Sequence, residues 1–488
     1  MSTAPAEQPS LPPRRGRPLI AWLVIVTLSA IAVGYQVYAS HAADPRERGY
    51  LSELELEGRY LVGIHEIVGG PVYEQAQALN RGPYEQRLRF VVLAGELKGP
   101  GEALVQLEQL RDLWEQRPPE KEERQLTDLL EKLYRDYADQ ELAESLGAFE
   151  RDAPDEQPPW VAKSLSEEER EQLREKLGWF GDLALAPAHG ADPAARAAVL
   201  AQARRTATVL LTVSLLALAL AFLGFLLLCA GVLCLILGVT RFRFARGSHD
   251  GGVYAETFAL WMALYMLPMA AIKLLPWSHS RMLIMGLFGL ASLSALAWPV
   301  LRGVPWRRVR QDLGWWVPGS AAVEVLWGVG CYLSVLPLVL VGLLISNGLL
   351  TIYKHFAGED PFGVPIRASH PVGEVLLHAD WWLRVQIFLA AAVFAPIIEE
   401  TMFRGVLYRH LREVGVRWPR SVSVLFSALV VSFLFAVVHP QGALGVPVLM
   451  ALALGFTVAR ELRGSLVGAM AAHGLNNGLV TVILLTMT

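Results

Sequence analysis

The chain has 488 residues, of which 53% are hydrophobic, with a formal net charge of −3 and a mean hydropathy of +0.37. This composition excludes an ordinary soluble protein, because several runs reach the roughly 20 apolar residues that a membrane-spanning helix needs. It also gives no indication of a nucleic-acid partner. The sequence predicts an all-α, polytopic transmembrane helix bundle of about eight or nine spans, with an extracytoplasmic soluble helical insert.

Charge is distributed unevenly along the chain. Residues 41–206 contain 33 of the 46 acidic and 21 of the 43 basic residues, so their formal charge is −12 and that of the remainder is +9. We therefore divide the chain into four parts. These are an N-terminal tail with its first apolar run (1–40), an acidic soluble helical domain (41–206), a set of membrane helices (207–380) and a C-terminal membrane region (381–488).

The first apolar run, 19–39, follows Arg14, Arg15 and Arg17. By the positive-inside rule this pattern predicts a signal anchor whose N-terminus is cytoplasmic. A cleaved signal peptide is the alternative, with Ser40-His41-Ala42 as a cleavage site of small residues. In either case the following segment lies outside the cytoplasm.

The acidic insert (41–206) has helical periodicity and no span. Leucines recur among charged residues at helix-like intervals: Leu104, Leu107, Leu110, Leu113, Leu126, Leu129, Leu130 and Leu133. His65 and His189 are isolated, so no catalytic constellation is predicted there. The pattern favours a solvated helical domain that contacts a protein partner.

Nine apolar segments have about the length that a bilayer demands: 19–39, 209–239, 253–275, 282–300, 317–350, 385–398, 421–438, 444–458 and 466–487. Arginine clusters follow residues 239, 300 and 404 and surround residue 460, which places them on every second connection. One topology makes all four clusters cytoplasmic and puts the acidic insert and the C-terminus outside. Such a chain is expected in a bacterial inner membrane.

Two adjacent carboxylates, Glu399 and Glu400, interrupt the sixth apolar segment. Charges at the bilayer centre are costly and usually functional. Glu400 and Arg404 are four residues apart and can neutralise each other on one helix face. Glu399 then has no local partner and is free to face a cavity. The alternative is a helix that leaves the membrane at Glu399 and enters the cytoplasm.

Three further polar residues lie in or beside apolar segments: His439 after the run 432–438, and His473 and Asn477 on one face of the last span. Each has an ordinary explanation, because His439 could be interfacial and the other two could form interhelical hydrogen bonds. Together, a carboxylate, two imidazoles and an amide are sufficient to activate water and to stabilise an oxyanion.

Depth estimates from the rise of a helix agree for three of these four residues. Glu399 lies about 18 Å from Leu411, and the two residues of the last span lie about 14 and 20 Å from Gly464. His439 lies about 27 Å from Ser421, which is deeper than the others unless its helix is tilted.

The three motifs resemble those of the CPBP family, which comprises type II CAAX prenyl endopeptidases and related bacterial intramembrane proteases. The residues that carry the resemblance are Glu399-Glu400-x-x-x-Arg404, Phe435-x-x-x-His439 and His473-x-x-x-Asn477. The resemblance covers roughly residues 380–488 and leaves the acidic insert without a counterpart.

The resemblance implies that Glu399, with His439, activates water and that His473 and Asn477 hold the oxyanion. It makes Glu400, Arg404 and Phe435 supporting residues. No cofactor is favoured, although family members are also described as metalloproteases. Zn²⁺ bound by Glu399, His439 and His473 is therefore the alternative.

The expected substrate is a membrane-associated protein or peptide, and nothing in the sequence indicates that it is prenylated. The second hypothesis for function is a catalytically quiet membrane scaffold that binds a partner through residues 41–206. The intact motif set favours the protease.

Overall fold

The computed structural model describes residues 16–42, 50–70, 72–145, 159–244, 251–273, 280–357 and 379–487. Throughout these residues the secondary structure is helical, apart from one isolated bridge between Trp160 and Gly190. The predicted all-α helix bundle is therefore confirmed. The candidate cleavage site at residues 40–42 lies at the end of the first helix, and Arg14, Arg15 and the loop from 358 to 378 lie outside the described residues.

The longer helices of the first half are α1 to α8. In chain order they are Pro18–Ala42, Tyr50–Val68, Tyr84–Lys98, Pro100–Asp112, Lys121–Ser145, Glu167–Leu177, Trp179–Leu185 and Pro193–Ile236. Helices α2 to α7 and the start of α8 form the insert. The predicted leucine pattern supplies its core, with Leu107, Leu110, Leu126, Leu129, Leu130 and Leu133 buried.

Helix α8 joins the insert to the membrane without a break, since it runs for 44 residues from Pro193 to Ile236. In the insert it packs closely on α2, where a Cβ on Gly63 would lie 2.2 Å from the carbonyl oxygen of Ala203. The change in composition at residue 206 therefore lies inside a helix, because helical hydrogen bonding is indifferent to the change from polar to apolar side chains.

The second half contains α9 to α12, which are Val253–Lys273, Arg281–Ser292, Trp306–Leu313 and Ala321–Ala357. A long helix at 381–414, called the glutamate helix below, follows them. Helices α13 to α15 complete the chain as Arg420–Val438, Gly442–Arg463 and Val467–Met487. Helix α12 packs against α8, α14 and α15, and α13 packs against α14. The glutamate helix packs against α9, α10 and α15.

Eight helices among the described residues are long and apolar enough to cross a membrane. The predicted span 253–275 is described as far as residue 273, and this part forms α9. Its first part is deeply buried, with Tyr254, Phe258 and Trp261 in the core against Phe403 of the glutamate helix.

The predicted basic connections lie together at one end of the bundle, which we call the basic end. The backbone N–H groups of Arg243 and Phe244 donate to the carbonyl oxygen of Glu461. The Arg412 guanidinium lies 3.1 Å from the Glu461 carboxylate, and Arg460 donates to the carbonyl oxygen of Asp312 at 2.9 Å. Four separate connections thus share one face of the molecule, as the topology requires.

Candidate active site

The glutamate helix changes its hydrogen-bonding pattern on both sides of Glu399. A π-helical turn at Ala390–Phe394 precedes the segment Ala395–Glu399, and a second π-helical stretch, Glu400–Leu407, follows it. Short π-helical segments inside α-helices occur frequently at functional sites. Here they lie directly before and after the segment that ends at Glu399.

Pro396 leaves a backbone carbonyl of the first π-helical turn without its helical donor. The N–H of Ala395 donates to the carbonyl oxygen of Ala390, five residues back. The next donor in that register would be residue 396, and proline has no N–H. Asn477 supplies the missing bond, because its Nδ2 donates to the carbonyl oxygen of Ala391 at 2.9 Å.

Helix α15 approaches the π-helical turn through a glycine. A Cβ on Gly474 would lie 2.7 Å from the carbonyl oxygen of Ala392, so a larger residue would push the two helices apart. Gly474 lies between His473 and Asn477 on the same side of α15. The small residue therefore allows both polar side chains to reach the glutamate helix.

Glu399 faces two imidazoles that come from different helices. Its Oε2 lies 3.4 Å from Nε2 of His439 and 3.8 Å from Nε2 of His473. The Glu399 side chain is 14% exposed, and its Oε2 atom is buried without a hydrogen bond to the protein. The carboxylate predicted to lack a local partner thus has long-range partners contributed by α15 and the end of α13.

Glu400 has two partners, one of which the sequence did not indicate. The predicted ion pair with Arg404 is present, with a distance of 2.9 Å between Oε1 and Nη1. The same oxygen lies 2.8 Å from Nδ1 of His473. A carboxylate is only an acceptor, so Nδ1 of His473 holds a proton and Nε2 is the atom that faces Glu399.

The His439 ring is oriented in a similar way by a backbone carbonyl. Its Nδ1 lies 2.5 Å from the carbonyl oxygen of Phe435, so Nδ1 is the donor and Nε2 faces Glu399. The Phe435 ring lies beside His439, with 4.1 Å between ring centroids. The Arg404 guanidinium also lies over the Phe435 ring, 4.5 Å from its centroid, and Arg404 donates to the carbonyl oxygen of Ala453.

Phe456 is a member of the site that sequence reasoning missed. Its ring stacks on His473 with 5.0 Å between centroids and an angle of 14° between planes. Nothing in its spacing distinguishes it from the other apolar residues of α14. Pro396, in contrast, was a usable signal, because a proline inside a helix always leaves carbonyls that need another donor.

The depth estimated for His439 differed from that of Glu399, yet Nε2 of His439 lies 3.4 Å from Oε2 of Glu399. Nε2 of His473 lies 3.8 Å from the same oxygen. The rise of each helix counted from the sequence therefore does not give the relative depth of residues on different helices.

The zinc alternative would use Glu399, His439 and His473. Within the described part of the chain, no group of three His, Cys, Asp or Glu side chains is arranged to hold a metal ion. The Asn477 amide donates to the carbonyl oxygen of Ala391, and its side-chain oxygen accepts from the Asn476 amide.

Residues 380–479 match a family model described as Type II CAAX prenyl endopeptidase Rce1-like. We call these matched residues the Rce1-like region. The matched segment contains all three motifs, and the match confirms the resemblance that was inferred from them. The acidic insert and α1 lie outside the matched segment, and comparisons with curated proteins and with solved structures gave no match. The Rce1-like region and the eight apolar helices together support a multi-pass integral membrane protein.

Proposed function

We propose that the protein is an intramembrane endopeptidase that hydrolyses a peptide bond of a membrane-associated protein. The observation that carries this proposal is the convergence of Glu399, His439 and His473 from three separate helices within the Rce1-like region. A buried carboxylate beside two imidazole nitrogens is suited to general base catalysis. An expected location is the inner membrane of a bacterium.

In the proposed reaction Glu399 removes a proton from water while the water oxygen attacks the scissile carbonyl carbon. His439, whose Nε2 faces the same carboxylate oxygen, orients the water by accepting a hydrogen bond from its second O–H. The tetrahedral intermediate then loses its C–N bond. The proton held by Glu399 passes to the leaving amine, so that all atoms and charges balance.

His473 and Asn477 are the proposed donors to the oxyanion. Because Glu400 holds the proton on Nδ1 of His473, Nε2 becomes a donor when the ring takes up a second proton. Asn477 uses one amide N–H for Ala391, and an amide nitrogen carries two. Each oxyanion donor in known sites contributes about 10²–10³ in rate.

Glu399→Gln tests the central assignment, because it keeps the size of the side chain and removes the base. We expect membrane proteins that are cut in the presence of the unaltered protein to accumulate uncut with this variant, at normal abundance of the protease. Glu108→Gln, at an exposed position of α4, is the matched control and should leave cleavage unchanged. Cleavage that survives in Glu399→Gln would remove the protease hypothesis and favour the scaffold.

Chelation tests the proposal that no metal takes part. Purified protein should remain active after treatment with a strong chelator, whereas His473→Ala and Asn477→Ala should each lose about 10²–10³ in rate. A stoichiometric zinc signal that disappears in His439→Ala, with activity lost alongside it, would contradict the metal-free mechanism.

The prenylation state of the substrate is tested by comparing prenylated and unmodified versions of any substrate found.

A further inference from the structure

Helix α1 lies outside the Rce1-like match but packs against the core of that region. Its Ala21 and Ile25 are buried in the same hydrophobic core as Phe403 and Phe435. At the basic end, the Trp22 indole N–H donates to Nε2 of His410 at 3.2 Å. These contacts extend along the helix and fix its position against α9 and α13.

At the opposite end of α1, the side chain of Gln36 reaches the last turn of α13. Its Nε2 lies 3.1 Å from the carbonyl oxygen of Val438 and 3.4 Å from that of Val437. Both carbonyls directly precede His439. The donor and its acceptors are about 400 positions apart in the sequence, so tertiary packing alone creates this contact.

Gln36 completes the hydrogen bonding of a helix end that the sequence leaves short of donors. A helix has four carbonyl groups without intrahelical partners at its C-terminus. In α13 the backbone N–H of His439 donates to the carbonyl of Ala436, and Nδ1 of His439 donates to that of Phe435. The following residue is Pro440, which has no N–H to offer. The remaining two carbonyls are the ones that Gln36 binds.

We propose that Gln36 is a positioning residue that holds the last turn of α13 and thereby fixes the tautomer and direction of His439. The turn must stay helical for the carbonyl of Phe435 to meet Nδ1, and Nε2 faces Glu399 only while that bond is made. The inference deepens the proposed function, and it makes α1 a retained part of the active site rather than a cleaved signal peptide.

The test measures the chemistry of His439 directly and so does not require proteolysis. Full-length protein in lipid nanodiscs is treated with diethyl pyrocarbonate, which acylates neutral imidazole, and the rates at His439 and His410 are read by mass spectrometry over a range of pH. In Gln36→Leu we expect the rate at His439 to rise about fivefold at pH 7, as the loss of about one net hydrogen bond implies. The pH midpoint of the reaction should move with it, while the rate at buried His410 stays unchanged.

Gln311→Leu makes the same chemical change at an exposed position near the basic end and should alter neither rate. Gln36→Asn, which withdraws the amide by one methylene, should change His439 in the same direction as Gln36→Leu. Rates at His439 equal to those of the unaltered protein in both variants would overturn the proposal. An equal rise in the acylation rate at His410 would also overturn it, and so would loss of both variants from the membrane. Either result would show that Gln36 stabilises the whole fold and does not act on His439 in particular. Because no cleavage is measured, inactivity of the enzyme on a chosen substrate leaves this test intact.

Discussion

The insert and the Rce1-like region are both helical, yet they treat charge in opposite ways. Most ion pairs described in the insert lie at the surface, as with Lys132 and Glu169, whose side chains are 48% and 28% exposed, whereas Arg196 and Glu96 are less exposed. In the Rce1-like region, Arg412 and Glu461 are 0% and 1% exposed. Exposed pairs contribute little because water and salt screen them, whereas removing one partner of a buried pair leaves an uncompensated charge. Both partners of a buried pair such as Arg412 and Glu461 are therefore needed for stability, whereas those of an exposed pair are not.

Buried charges at the basic end lie near opposite charges, since Nη2 of Arg409 is 3.3 Å from Asp312 and 3.1 Å from Glu413. Oε2 of Glu399 instead lies 3.4 and 3.8 Å from two imidazole nitrogens. This oxygen is buried without a hydrogen bond to the protein, and the proposed function gives a reason for that arrangement.

The largest expected difference is in labelling from outside the cell, because the insert and the basic connections are predicted to face opposite sides of the membrane. In a background without Cys229, Cys234 and Cys331, a cysteine at Glu141 should react completely with an impermeant maleimide on intact cells. A cysteine at Arg241 should react only after the membrane is opened, because the basic connections are expected in the cytoplasm. The reverse pattern of labelling would invert the topology.

Removal of the buried negative charge at Glu461 should be the most destabilising of the charge changes. Glu461→Gln leaves the buried Arg412 without its counter-ion and weakens the hydrogen bond from Tyr408, at a cost of about 3–5 kcal/mol. Glu169→Gln is the matched change in the insert and should cost less than about 1 kcal/mol. Thermal unfolding of the two purified variants compares them, and equal losses would show that burial does not govern these pairs.

Glu400→Gln should lower the amount of folded protein, because Arg404 then remains buried without a negative partner. Exchanging the two residues, as Glu400→Arg with Arg404→Glu, should restore part of the abundance. It should not restore cleavage, since Nδ1 of His473 would face a guanidinium instead of a carboxylate. Normal abundance of the single variant with abolished cleavage would instead assign Glu400 to the chemistry.

The hydrogen bond between Tyr73 and Glu102 is expected to make a small, pH-dependent contribution to the stability of the insert. Burial, followed by its hydrogen bond to Glu102, raises the pKa of Tyr73 to about 12. The hydrogen bond from Tyr73 is the main cause that lowers the pKa of Glu102. A carboxyl whose pKa is lowered by folding contributes stability above its unfolded pKa, about 4.3, and loses that contribution as the pH falls through the folded value.

Tyr73→Phe should therefore cost about 1 kcal/mol near pH 7, with the value kept low by solvent around Glu102. The difference from the unaltered protein should shrink below about pH 4. Hydrogen exchange of the amides in α4 measures it in the full chain. A difference that is independent of pH would show that packing of the ring, and not the charged hydrogen bond, is responsible.

Local sequence patterns were enough to predict the helices, because periodicity and run length act within one element. The leucine repeat of the insert and the described parts of the apolar runs form helices. The Glu400–Arg404 pair was also predictable, since residues four apart share a helix face. The roles proposed for Glu399, His439, His473 and Asn477 remain predictions.

Contacts between elements could not be predicted in this way. The sequence contains Pro396 and Asn477, but only the packing of α15 on the π-helical turn brings the amide to Ala391. His473 had two candidate glutamates, and the structure pairs its two ring nitrogens with different ones.

The sequence by itself determined that the chain is a helical membrane protein with an acidic insert, and it placed the polar residues of three motifs along the helices. Only the tertiary structure decided that Glu400 orients His473, that Phe456 stacks on this ring and that Gln36 of α1 binds the end of α13. The physical reason is that hydrophobicity and helical period fix each helix and its buried face, whereas hydrogen bonds between helices depend on rotation and approach distance. Helix rotation and approach distance are set by packing at residues such as Gly474, so they cannot be derived from the sequence of one helix.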